Sequence, residues 1–165
     1  MNRFRGVASR LCSGGRMQRQ STPTVVIVDD DPQIVALCRL HLEQDGAFAV
    51  VATASTADEG LRATMASRPD AVLIDLGLPD RGGETLMSQL LLQVPEAMVA
   101  AFTATDAERA EIRVRATGAF AYYEKDMLDA GLLREFVEDD LDTFARAVQG
   151  EDVVAPSALD RRAAR

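Results

Sequence analysis

Short apolar runs alternate with longer segments of helical periodicity through most of this chain. Five runs are typical of buried strands, at residues 24–28, 48–52, 71–74, 98–103 and 119–123. Apolar residues recur at helical spacing between and after these runs, most clearly in 83–94 and 133–148. Parallel strands need such helical crossovers, which then cover both faces of the sheet. The sequence therefore predicts an α/β protein with a doubly wound parallel sheet.

Right-handed crossovers leave few strand orders for such a sheet, and one of them is the flavodoxin-like order 2-1-3-4-5. Strands one and three are neighbours in that order. Asp29 and Asp30 follow the first strand, and Asp75 follows the third. We expect a flavodoxin-like (βα)5 fold in which these three carboxylates share one crevice at the carboxyl ends of the strands.

Turn residues suggest where helices begin and end. Pro32 suits the first turn of a helix, and Gly46 is a candidate for the end of the same helix. Two further helices are predicted to open at pairs with capping-box spacing, Ser55 with Asp58 and Thr105 with Glu108.

Composition limits the class of protein. A chain of 165 residues favours one domain, predicted here at residues 24–149. No apolar run approaches the length of a membrane span, and a cytoplasmic protein is expected. Two cysteines and one histidine provide neither a disulfide framework nor a zinc cluster.

Charge is unevenly distributed along the chain. Residues 1–23 hold five arginines and no acid, whereas residues 24–150 hold 23 acidic and 10 basic residues. Such an acidic body repels the phosphate backbone, so direct DNA binding is not expected. We expect 1–23 to be a disordered basic tail, or to reflect a start codon placed too early, with Met17 available. Residues 150–165 are expected to form a flexible tail.

Three carboxylates in one crevice repel one another, and a hard divalent cation relieves that repulsion. Mg²⁺ prefers oxygen ligands and usually keeps some of its waters. Asp30, Asp75 and the Gly77 carbonyl are candidate ligands, and Asp29 is a candidate to hold a metal-bound water. One position would remain for a phosphoryl oxygen. The alternative for residues 29–31 is a solvated acidic cluster at a helix start.

Two more polar residues end strands at the same edge of the predicted sheet. Lys125, the only lysine among 18 basic residues, follows the fifth strand, and Thr103 ends the fourth. A compact ammonium binds phosphoryl oxygens as a point charge, and a hydroxyl can bond the same oxygens. Each residue alone has an ordinary explanation, as a solvated charge or as local turn chemistry. Together with the three aspartates they predict a phosphoryl-binding site.

Four motifs carry a family resemblance. They are Val-Asp-Asp-Asp-Pro at 28–32, Asp-Leu-Gly-Leu-Pro at 75–79 followed by Gly83, Phe-Thr-Ala at 102–104, and Tyr-Tyr-Glu-Lys at 122–125. With these motifs the chain resembles the receiver domain of bacterial two-component response regulators, over about residues 24–148.

The resemblance implies a role for each matching residue. Asp75 would accept the phosphoryl group, Asp29 and Asp30 would be the acidic pair for Mg²⁺, and Lys125 would bind the phosphate. The two residues implied in switching are Thr103, as the switch hydroxyl, and Tyr122, as the switch aromatic. A receiver of this kind is not an enzyme with a separate substrate; it assists its own phosphorylation and dephosphorylation.

The resemblance also implies partners. The phosphodonor would be a sensor histidine kinase or a phosphotransfer protein. We expect a stand-alone receiver whose readout is contact with another protein, through the face built from the fourth helix, the fifth strand and the fifth helix. That face would include Glu108, Glu111, Arg113, Tyr122, Arg134, Glu135, Glu138 and Asp139.

Some residues depart from the family pattern. Asp126 follows Lys125 where many receivers have proline. Gly77 and Thr105 occupy positions that tune dephosphorylation in this family, which leaves the lifetime of the phosphorylated state unassigned.

Other functions compete with this one. Asp29-x-Asp31 resembles the nucleophile motif of haloacid-dehalogenase-type phosphatases, although that function leaves Asp75 and its loop unexplained. A receiver-like module that binds partners without phosphorylation is a second alternative, which the complete set of acids, threonine and lysine disfavours. An FMN-binding flavodoxin is disfavoured because the loop after the first strand is acidic.

Overall fold

Five strands and five α-helices alternate along the chain. The structure, a computed structural model, describes residues 21–104, 107–129 and 131–154, without the side chains of 107–109 and 111. The strands are β1 (Thr24–Val28), β2 (Ala49–Ala54), β3 (Ala71–Ile74), β4 (Met98–Thr103) and β5 (Ala121–Glu124). The helices are α1 (Pro32–Glu43), α2 (Ala57–Ser67), α3 (Gly83–Gln93), α4 (Ala107–Thr117) and α5 (Leu133–Val148). Short 3₁₀ turns occupy Gln44–Gly46 and Lys125–Met127.

The strands form one parallel sheet in the order β2-β1-β3-β4-β5, which confirms the predicted fold class. Val28 lies in register with Ile74, and Ile74 with Ala101. The last residues of β1 and β3 therefore end level with each other. The Asp75 amide donates to the Val28 carbonyl over 2.8 Å, which extends the pairing to the first residue beyond β3.

Helices pack on both faces of the sheet. Alternate residues of a strand point to opposite faces, and the neighbours Tyr122 and Tyr123 of β5 accordingly belong to two different buried clusters. Residues of α2, α3 and α4 join Tyr122, while residues of α1 and α5 join Tyr123. β3 is the middle strand of the sheet, and every one of its residues is buried. Within the described residues, no helix combines the length and apolar character needed to span a bilayer.

The helix α2 begins one residue later than its predicted capping box. Thr56, and not Ser55, is the N-cap: its hydroxyl oxygen accepts the Glu59 amide over 3.2 Å. The Glu59 carboxylate accepts the Ser55 amide over 3.1 Å, so Asp58 is not the reciprocal partner either. The reason is that β2 continues to Ala54 in register with β1, which shifts the helix start.

Other predicted boundaries differ by a few residues. The second strand is Ala49–Ala54 where 48–52 was expected, and the fifth is Ala121–Glu124 where 119–123 was expected. The first helix ends before Gly46, since a 3₁₀ turn takes up the last residues. Thr105 of the predicted capping pair and the side chain of its partner Glu108 lie outside the described part of the chain, as do most of the two predicted tails.

Candidate functional site

Three carboxylates meet at the carboxyl edge of the sheet. Asp29 and Asp75 directly follow β1 and β3 and are 2% and 7% exposed, whereas Asp30 is exposed. One oxygen from each of the three lies within 4.8 Å of the others. Carboxylate oxygens at this spacing form a cluster that could hold a hard metal ion. The structure thus brings together the three aspartates that the sequence analysis grouped.

Lys125 reaches into this cluster from the end of β5. Its Nζ lies 2.6 Å from Asp29 Oδ2 and 3.2 Å from Asp75 Oδ2, and its side chain is 15% exposed. One ammonium therefore contacts two buried carboxylates, while Asp30 adds a third negative charge at the rim. The excess of negative charge attracts a further cation.

Burial affects the pKa values of both Asp29 and Lys125. Burial raises the pKa of Asp29 above its ordinary value of 3.8, and this effect outweighs the hydrogen bonds from Lys125 and the Asp31 amide. Burial by itself lowers the pKa of Lys125, but the hydrogen bond and charge of Asp29 and the charge of Asp75 raise it above 10.5. Lys125 is therefore a fixed ammonium at neutral pH.

The loop after β3 is folded tightly against Asp75. A Cβ on Gly83 would lie 2.1 Å from the backbone oxygen of Asp75, so only glycine fits there. The Gly83 amide also donates to the Leu76 carbonyl over 3.2 Å. A Cβ on Gly77 would lie 3.4 Å from Asp75 Oδ2, which places Gly77 beside the carboxylate cluster. The role of its carbonyl as a metal ligand stays a prediction.

Thr103 and Tyr122 take different places. Thr103 ends β4, is 2% exposed and lies in register with Glu124, the residue before Lys125. It therefore belongs to the same edge of the sheet as the carboxylates. Tyr122 is 4% exposed and belongs to the buried cluster under α2, α3 and α4. The side chain of this switch aromatic is thus buried in the present conformation.

Asp31 and Asp126 lie outside the cluster. The carboxylate of Asp31 accepts the Gln33 amide over 2.8 Å and caps α1, while its own amide donates to Asp29 Oδ1 over 2.9 Å. Asp31 is thus an ordinary helix N-cap residue. Asp126, the residue after Lys125, is exposed in the 3₁₀ turn.

Two features of the site were missed in the sequence analysis. One is Asp80, whose carboxylate accepts amides of the first turn of α2. The other is a groove of about 290 Å³ next to the carboxylates. Its lining residues come from the segment after β1, from α1, and from the end of β2 and the start of α2, and they include Asp29, Asp30, Val35, Thr53, Ser55 and Glu59. Neither has a local sequence signal, since each depends on segments far apart in the chain.

One known protein family matches most of the chain. The family model "Response regulator receiver domain" matches residues 25–138. A receiver domain protein (CheY-like) from Methanospirillum hungatei has a similar structure, with a TM-score of 0.66 and 30% identity, covering 74% of this chain and 95% of that one.

Curated relatives are longer than this chain. A protein-glutamate methylesterase/protein-glutamine glutaminase from Oleidesulfovibrio alaskensis is 30% identical over 75% of this chain and 34% of its own length. The Mycobacterium tuberculosis transcriptional regulatory protein KdpE is 42% identical over 40% of this chain and 28% of its own length. The chain thus spans about a third of the length of these relatives.

Proposed function

The chain belongs to the response regulator receiver domain family of two-component systems, and from that premise we propose that it accepts a phosphoryl group on Asp75. The donor would be a phosphohistidine of a sensor kinase or a phosphotransfer protein, working in the cytoplasm where ATP supplies such kinases. A carboxylate oxygen of Asp75 attacks the phosphorus atom, and the bond between phosphorus and the imidazole nitrogen breaks. The released nitrogen takes up a proton from water.

The residues around Asp75 fit a magnesium ion. Their donor atoms are hard oxygens, and three carboxylates meet one lysine. Asp30, Asp75 and the Gly77 carbonyl would hold the ion, with Asp29 holding one of its waters. When bound, the ion supplies positive charge to the phosphoryl oxygens.

Lys125 and Thr103 would act on the phosphoryl group itself. Phosphoryl transfer spreads negative charge over the three equatorial oxygens, so catalysis consists of positioning and charge stabilisation. The Lys125 ammonium, 3.2 Å from Asp75 Oδ2, is the donor for one of these oxygens. The Thr103 hydroxyl, on the neighbouring strand end, would bond another once Asp75 carries the phosphate.

One observation carries this proposal: a partly buried lysine contacts two buried aspartates that directly follow two adjacent parallel strands. A structural ion pair needs one carboxylate, whereas this arrangement gathers three. The phosphatase alternative loses support because Asp31 caps α1.

The test is phosphorylation by a small phosphodonor in the presence of Mg²⁺. Intact-protein mass spectrometry should detect one added phosphoryl group that is stable in acid and labile in alkali. Asp75→Asn should not be labelled, whereas Asp70→Asn, at the other end of β3, should be labelled like the wild type. Undiminished labelling of Asp75→Asn would refute the assignment, and turnover of a phosphate ester would favour a phosphatase.

The output surface that we propose is built from α4, β5 and α5. Arg113 of α4 is exposed and pairs with Glu84 of α3, so this face borders a neighbouring helix. The side chains of Glu108 and Glu111 lie outside the described residues. A bound phosphate would draw the Thr103 hydroxyl toward it and change the populations of two arrangements around Tyr122. A protein partner would read this change.

Beryllofluoride, a phosphoryl mimic, tests this surface. NMR amide shifts should change around Tyr122 and in residues 107–117 as well as in the carboxylate cluster. Lys125→Ala should still bind Mg²⁺ but lose most of the changes outside the cluster. Changes confined to the cluster in the wild type would mean that this face is not the switch.

A further inference from the structure

Asp80 of the loop between β3 and α3 caps a helix to which it does not belong. Its Oδ1 accepts the Ala57 amide over 2.8 Å, and its Oδ2 accepts the Asp58 amide over 3.1 Å. These are the first two amides of α2, which have no carbonyl partner within the helix. The two amides lie 23 and 22 residues before Asp80, so the cap joins separate parts of the chain.

The rest of the α2 terminus is satisfied locally. Thr56 accepts the Glu59 amide with its hydroxyl oxygen, and the Gly60 amide makes the first helical bond to the Thr56 carbonyl. Beside the Asp80 cap, the Arg81 guanidinium pairs with the exposed Asp58 carboxylate. The loop and the helix end are therefore joined by two hydrogen bonds and one ion pair.

The segment between Asp80 and the carboxylate cluster is short and stiff. Only Leu78 and Pro79 separate Asp80 from Gly77. Leu78 is 6% exposed and packs in the core under α2 and α3, while the ring of Pro79 fixes its own φ. Gly77 in turn lies against Asp75 Oδ2. A displacement of Asp80 would therefore move Gly77 by nearly the same distance.

The capped helix end also borders the carboxylate cluster from the other side. Ser55 and Glu59, around the start of α2, line the groove that Asp29 and Asp30 line from the segment after β1. The Asp80 cap consequently fixes the loop that carries Gly77 relative to a second wall of the same site.

We propose that Asp80 is a positioning residue for the cation site: by capping α2 from the loop, it holds Gly77 in place beside Asp75. This inference rests on the proposed function, because it assumes that the site takes Mg²⁺. A residue that positions a ligand without touching the metal typically changes metal affinity by about 10- to 100-fold when it is removed.

Calorimetric titration with Mg²⁺ alone tests the inference on four forms of the full chain. We expect Asp80→Ala to raise the Kd for Mg²⁺ about 10-fold. Asp80→Asn should lie between Asp80→Ala and the wild type, because the amide oxygen can still accept one of the two backbone amides. Thr56→Ala is the matched control, since it removes a cap from the same helix end without touching the loop.

Urea unfolding of the same variants separates positioning from stability. Thr56→Ala should lower the unfolding midpoint while its Kd for Mg²⁺ stays that of the wild type. Wild-type affinity in Asp80→Ala would overturn the inference and leave the proposed function standing, and so would an equal loss of affinity in Thr56→Ala. If Asp80→Ala does not fold, wild-type affinity in Asp80→Asn overturns it. Absence of Mg²⁺ binding in the wild type would overturn both.

Discussion

Two aspartates flank the central strand β3, and they have opposite surroundings. Asp70 precedes the strand, and its Oδ2 accepts the Thr24 amide over 2.7 Å and the Thr24 hydroxyl over 2.9 Å. Asp75 follows the strand and lies among two more carboxylates and the Lys125 ammonium. The same residue type thus accepts hydrogen bonds from an amide and a hydroxyl at one end of the strand, and lies among charged groups at the other.

The difference teaches how a structural carboxylate is told from a functional one. The Thr24 amide and hydroxyl donate to Asp70 and tie β1 to the start of β3, so these hydrogen bonds serve the fold. At Asp75 the like charges oppose folding, and one lysine offsets them only in part. Groups that are costly to hold together and yet are held by strand ends are candidates for function.

The largest expected effect concerns the metal. Asp30→Ala should weaken Mg²⁺ binding by at least about 100-fold, since it removes a direct ligand and outer residues alone account for 10- to 100-fold. Asp70→Asn should not change the affinity. Calorimetric titration measures both.

Asp31→Asn is the matched control for charge in that experiment. It removes one negative charge from the same acidic run, and asparagine caps a helix as well as aspartate does. Its affinity for Mg²⁺ should stay close to that of the wild type. If Asp31→Asn weakened binding as much as Asp30→Ala, net charge rather than ligation would explain the result.

Substitutions in the carboxylate cluster should affect Mg²⁺ binding most, whereas the free energy of unfolding should depend more on Asp70. Asp70→Ala should lower the free energy of unfolding by about 2 kcal/mol, because it leaves the Thr24 amide and hydroxyl without their carboxylate. Asp75→Ala should leave that free energy unchanged or raise it, because it removes a like charge. Urea unfolding in Mg²⁺-free buffer measures both, with the exposed Glu96→Ala as a control for surface charge. Equal losses for Asp70→Ala and Asp75→Ala would mean that the two carboxylates contribute to the fold in the same way.

The smallest expected effect is in the pH dependence of stability, and it extends the comparison to Asp29 and Asp80. Burial raises the pKa of Asp29 above 3.8, so its contribution to stability is greatest at acid pH and is lost as the pH rises through that raised pKa. The amides of Ala57 and Asp58 lower the pKa of Asp80 below 3.8. The contribution of Asp80 to stability is therefore present above pH 3.8 and is lost as the pH falls through the lowered pKa.

Unfolding curves of Asp29→Asn and Asp80→Asn at a series of pH values test these signs. The difference in unfolding free energy from the wild type should change with pH in opposite directions for the two variants. The change should occur above pH 3.8 for Asp29→Asn and below pH 3.8 for Asp80→Asn. Slopes of the same sign would contradict the assigned surroundings of one of the two residues.

Much of the fold was predictable because its signals are local. Apolar runs and helical periodicity predicted all five strands, and Met98–Thr103 and Leu133–Val148 were predicted to the residue. The strand order was one of the few that the crossover rule allows. Predicted boundaries were wrong where pairing with another strand decided them. Ala54, for example, pairs with Val28, and the N-cap of α2 is therefore Thr56.

The sequence by itself determined which residue types end the strands, and topology rules then brought Asp29, Asp75 and Lys125 to one edge. Only the tertiary structure decided which partners each carboxylate meets. Asp70, Asp75 and Asp80 stand within eleven residues of one another, yet their partners are 46, 50 and 23 residues away in the chain. The chemical type of a side chain can be read from its own position in the sequence. Its partner depends on the register of the sheet and on the path of the loops, and these depend on the whole chain.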